Sequence, residues 1–139
     1  MSQVREFFAP EAELVERLCA GEANENLRQL FMARTKRWKH PYIHAECFTF
    51  GIFSDLEDKL EPPTAFSLVT QAVDLVVEQK DRELLTTAFS LLCGVSRATN
   101  TTEMPPSLET NWEKLSALAD KIPKHDLVYW EGLRKWYRK

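Results

Sequence analysis

The chain has 139 residues, 44% of them hydrophobic and 28% charged, with a formal net charge of −3. That length predicts one domain with a core of its own, and that balance excludes a disordered chain. The 4 glycines are too few for a chain built on Gly-rich hairpins or phosphate-cradling loops, and the charge selects no class of partner.

The three cysteines, Cys19, Cys47 and Cys93, are odd in number and far apart. Each falls in an apolar helical pattern, which predicts buried free thiols in a reducing compartment. The opening MSQVREFFAPEAEL has no positive region followed by a long apolar run, so no signal peptide is expected. No stretch approaches the length of an uncharged membrane span. The expected location is the cytoplasm.

In chain order, Pro10 can open a first helix. Leu14, Val15 and Leu18 form one face, Glu11, Glu13 and Glu16 lie outside, and Gly21 stops it. A second helix is predicted over 23–38, with Leu27, Leu30 and Phe31 on its apolar side. Its end is basic, with Arg34, Lys36, Arg37 and Lys39, which cations facing a helix C-terminus explain. His40-Pro41 breaks it. Residues 42–60 are read as helix on Ala45, Phe48, Thr49, Ile52, Phe53 and Leu56, although 47–53 is rich in β-favouring types and Gly51 weakens a helix. An acidic run follows, comprising Asp55, Glu57, Asp58 and Glu61.

Pro62-Pro63 starts a fourth helix, on which Ala65, Phe66, Val69, Ala72, Val73, Val76 and Val77 keep the helical period. Asp81 is the expected N-cap of a fifth. In that helix Leu84, Leu85, Ala88, Leu91, Leu92 and Val95 make one face, and Phe89 and Cys93 widen it until little polar surface remains. A helix apolar over most of its girth is expected to be surrounded by others. The chain then turns polar through Arg97, Thr99, Asn100, Thr101, Thr102 and Glu103 to Met104-Pro105-Pro106. A loop held by a buried helix is where binding groups tend to sit. A sixth helix carries Leu108, Trp112, Leu115, Ala119 and Ile122 and ends at Pro123. The last is predicted over 124–137, with Leu127, Trp130, Leu133, Trp136 and Tyr137 among basic residues.

The reading is therefore all-α, a single helical domain over 1–139 with about seven helices. Ala65-Phe66-Ser67-Leu68 recurs as Ala88-Phe89-Ser90-Leu91, which favours HEAT-like stacked helical pairs slightly over a compact irregular bundle.

Catalytic motifs are missing from this pattern. His40, His44, Glu46 and Cys47 sit close in sequence, but Pro41 interrupts them and no ligand spacing of a known metal site is present. Unlinked surface and core residues are the favoured reading. Cys93 precedes Gly94 inside an apolar helix, which describes an inert thiol better than a nucleophile. Glu103 is the acid in the most promising loop, where its neighbours Thr101 and Thr102 make helix capping an equal explanation. From Lys121 to Lys139, basic residues interleave with Tyr129, Trp130, Trp136 and Tyr137. That composition suits single-stranded nucleic acid, unless the rings pack inward and the cations form a solvated face, which is the favoured reading. Residues 1–27 are by contrast acidic, a polarity able to steer a charged partner.

The string Glu83-Leu84-Leu85, Ala88-Phe89-Ser90-Leu91-Leu92, Ser96-Arg97 and Thr101-Thr102-Glu103-Met104-Pro105 resembles small helical immunity proteins encoded beside bacterial polymorphic or contact-dependent toxins. The resemblance covers about 25 residues of the chain. It implies a cytoplasmic bacterial protein, not an enzyme and without cofactor or metal, that binds one cognate toxin domain and blocks its active site. The expected partner is that protein domain rather than nucleic acid or membrane, and the free chain is expected to be a monomer. Candidate contact residues are Glu57, Asp58 and Glu61 on the acidic link and Arg97, Asn100 and Glu103 on the loop after the central helix. They combine charge with rigid helical support. The alternative is a nucleic-acid-binding module using the basic, aromatic C-terminal helix.

Overall fold

The structure is a computed structural model that describes residues 11–22, 25–37 and 53–139. Among the described residues all regular structure is helical. We label the α-helices α1 (Ala12–Cys19), α2 (Asn26–Arg37), α3 (Ser54–Lys59), α4 (Pro62–Glu78), α5 (Arg82–Ala98), α6 (Pro106–Thr110), α7 (Trp112–Ala119) and α8 (Val128–Tyr137). A 3-10 helix, Lys124–Asp126, precedes α8. The chain divides into two compact units, 1–60 and 61–139. Among the described residues no helix is long and apolar enough to cross a membrane.

In the first unit α1 packs on α2 and α3. Val15 and Leu18 of α1 are buried, as are Leu27, Leu30 and Phe31 of α2 and Phe53 and Leu56 at α3. The Phe31 and Phe53 rings stack nearly parallel, 6.0 Å apart. Gly21 ends α1 at φ 91°, a conformation that costs glycine nothing extra. The Gly21 and Glu22 amides then satisfy the carbonyls of Leu18 and Arg17, closing the helix with a Schellman motif.

The basic end of α2 departs from expectation. The Arg34 side chain is fully buried, and its guanidinium donates to both Asp55 carboxylate oxygens at 2.6 and 2.7 Å. A cation read as answering the helix dipole instead ties α2 to α3. Asp55 is correspondingly part of a cross-helix pair and not of a solvated acidic run. Burying a guanidinium is tolerable when its charge is met bidentately. Cys19, expected to be buried, is half-buried. Burial nonetheless pushes its thiol above the usual 9.0, with Lys59 opposing and Asp55 adding. Residues 38–52, and with them His40, His44, Glu46 and Cys47, lie outside the described residues.

The second unit is built on α4 and α5. Three residues join these two long helices, which pack along each other, so they form an antiparallel hairpin. Asp81 caps α5 as expected, its carboxylate accepting from the Glu83 and Leu84 amides at 2.9 and 3.1 Å. α5 buries Leu85, Ala88, Phe89, Leu91, Leu92, Cys93 and Val95, and with them Thr87 and Ser96. α4 packs additionally on α6 and α7, and α5 on α8.

Two predicted helices are interrupted. The sixth breaks at Asn111, whose side-chain amide donates to the Ser107 carbonyl at 2.7 Å. An amide side chain that competes for backbone partners ends a helix where the apolar period alone would continue it. At the last helix, residues 124–126 form the 3-10 turn, and α-helix begins at Val128. Phe66 and Val77, placed on the apolar face of α4, are half-buried at its margin.

Candidate interaction surface

The polar stretch after α5 is pinned from three sides. At its start the Thr99 hydroxyl donates to the Ser96 carbonyl at 2.6 Å, and the Thr101 amide approaches that hydroxyl at 3.4 Å. Asn100 takes φ 53°. Asn is one of the few side chains that tolerate the left-handed region, and here it terminates α5, its amide reaching the Arg97 carbonyl. Further on, the Glu103 amide donates to the Thr101 hydroxyl at 3.2 Å. The third anchor comes from another helix: the Trp136 indole N–H donates to the Thr101 carbonyl at 3.0 Å.

That last bond ends a ladder between α5 and α8. Phe89 meets Trp130 edge to face, with centroids 5.7 Å apart. A Cβ on Gly132 would stand 3.3 Å from Cys93 Sγ, so glycine permits the close approach. The Tyr137 hydroxyl faces that of Ser96 without closing a hydrogen bond of good geometry. Burial pushes the Tyr137 phenol above its usual 10.0, with Ser96 opposing and Cys93 adding to the rise. Trp112 of α7 joins the cluster, 4.9 Å from the Trp130 ring and 6.4 Å from Tyr137. Residue numbers rise together along both helices, so α5 and α8 run parallel and their C-terminal ends lie side by side.

The candidate contact residues fall in two places. Arg97, Asn100 and Glu103 are exposed together on the pinned loop and its helix end. Glu57 and Asp58 belong to α3 in the first unit, the former half-buried and the latter exposed. Glu61 is exposed at the N-cap of α4 in the second unit, where its carbonyl accepts from Ala65. Glu103 caps no helix, since α6 starts after Pro105 with no side-chain cap.

The rings of the C-terminal helix turn inward: Trp130 and Tyr137 are buried, and Trp136 is half-buried with its N–H engaged. Tyr129 is the ring of α8 left exposed. Among the described residues no group of three or more His, Cys, Asp or Glu is placed to hold a metal ion. The spacing of the sequence carried no sign of the Trp136–Thr101 bond, because the two residues are 35 apart. Compared with known proteins, the chain matches no family model, no curated protein and no solved structure.

Proposed function

We propose that this chain is a stoichiometric protein-binding module, a bacterial, cytoplasmic immunity protein that neutralises a cognate toxin domain. The observation that carries the reading is the pinned loop. Its backbone is tied down by Thr99, Thr101 and Trp136, while Arg97, Asn100, Thr102 and Glu103 stay exposed beside it. A surface ordered before binding loses little entropy when it meets its partner. No bond has to be made or broken for such a surface to work; it blocks a partner by occupying it. Exposed Asp58 and Glu61 supply charge that speeds encounter with a basic partner.

Co-expression with the C-terminal domain encoded by the neighbouring upstream reading frame tests this. Restored growth and a one-to-one complex on size exclusion are the expected results. Reversing charge at Asp58, Glu61, Arg97 or Glu103 should slow association and alter its salt dependence. Continued toxicity with no complex overturns the reading.

A further inference from the structure

We propose that the adjoining C-terminal ends of α5 and α8 form a cationic docking surface for an acidic protein segment, an inference that rests on the protein-binding reading above. The ladder from Phe89–Trp130 to Thr101–Trp136 places the two helix ends side by side. Arg97 is exposed on the last turn of α5, and Lys135, Arg138 and Lys139 are exposed at the end of α8. None of the four makes an ion pair among the described residues, whereas Arg134 is engaged by Glu131 and the Lys139 carbonyl.

Helix ends attract cations without any partner, but the magnitude falls short here. Each C-terminus carries roughly half a negative charge, so two ends account for about one of the formal positive charges gathered there. Glu103, the acid of the connecting loop, offsets one more. The remainder is unspent on the fold. Guanidinium groups at Arg97 and Arg138 suit carboxylates, which they bind through paired hydrogen bonds.

The same surface is poorly made for nucleic acid. Binding single strands takes exposed rings on which bases stack. Trp130 and Tyr137 are buried, and Trp136 has given its N–H to Thr101. Exposed Tyr129 lies in the first turn of α8, roughly 12 Å along the helix from Tyr137 at 1.5 Å per residue.

Fluorescence anisotropy on the full chain, with labelled short poly-L-glutamate and an oligouridylate of equal length as probes, decides between them. Poly-glutamate is expected to bind at low salt. The double variant Arg97→Glu/Lys135→Glu should weaken that binding about tenfold or more, with unchanged helical circular dichroism. If that variant loses helicity, Arg138→Gln/Lys139→Gln takes its place and should also weaken binding. Undetectable poly-glutamate binding, binding unaffected by the substitutions, or oligouridylate bound as tightly as poly-glutamate overturns the proposal. An intact toxin complex alongside such a failure leaves the immunity reading standing and removes this surface from it.

Discussion

The two units secure their helices by different physics. In the first, the buried Arg34 guanidinium joins α2 to α3 through Asp55, beside the stacked Phe31 and Phe53 rings. In the second, α5 is held to α8 by a row of ring, small-residue and hydroxyl contacts that ends in an indole hydrogen bond. The difference lies in how loss is shared. A charge pair concentrates its contribution in two side chains, and removing one leaves the desolvation of the other less compensated. A packed row spreads its contribution over many dispersion contacts. The row also reaches the loop after α5, because its last member is the Trp136 bond to the Thr101 carbonyl.

The largest effect is expected on the packed side. Phe89 is 1% exposed and sits against Trp130, so Phe89→Ala should cost about 3–5 kcal/mol. A lowered urea midpoint followed by tryptophan fluorescence checks this; Trp112, Trp130 and Trp136 all lie in that unit. A cost below about 1 kcal/mol would mean the ladder does not hold the unit.

A smaller effect is expected from Asp55→Ala. The Arg34 side chain is 0% exposed but Asp55 is 40% exposed, so water reaches the carboxylate and reduces the penalty. We expect about 2–3 kcal/mol, below the 3–5 or so of a wholly buried pair. The double variant Arg34→Met/Asp55→Ala should recover part of it, because the guanidinium that has lost Asp55 is then no longer buried. Hydrogen exchange at the α2 amides separates the two outcomes, and equal exchange in single and double variants would argue against the charge as the cause.

The smallest effect is expected at Tyr137, at the far end of the ladder. Its folded-state pKa is raised above 10.0, chiefly by burial. Above pH 10 the unfolded chain therefore loses this proton while the folded chain keeps it, and stability falls as pH climbs through the folded value. Below pH 10 the contribution is fully present. Tyr137→Phe should flatten that decline in unfolding curves measured on either side of pH 10. An identical slope in the variant would place the titration elsewhere, Cys19 being the next thiol or phenol raised by burial.

Exposure of the candidate contact residues was partly legible from sequence. The loop was singled out by the contrast between an apolar helix and the polar run behind it, and Arg97, Asn100 and Glu103 are exposed there. Asn100 carries a backbone duty that its residue type hints at and its φ of 53° reveals. The acidic run was harder to read. Asp55, Glu57, Asp58 and Glu61 are neighbours in sequence, yet one is committed to Arg34 and another opens a helix in the second unit.

Local chemistry was enough to determine α4 and α5, because their causes lie within a few residues: Pro62-Pro63 at one start, the Asp81 carboxylate at the other, and an apolar period between. The same rules overran at Asn111 and at 124–126, where side-chain competition and turn geometry interrupt a period that remains visible. Nothing local sets Arg34 opposite Asp55 or brings Trp136 to Thr101. Each pair joins different elements, and which elements meet depends on the docking of whole helices, a choice that periodicity along one helix does not encode.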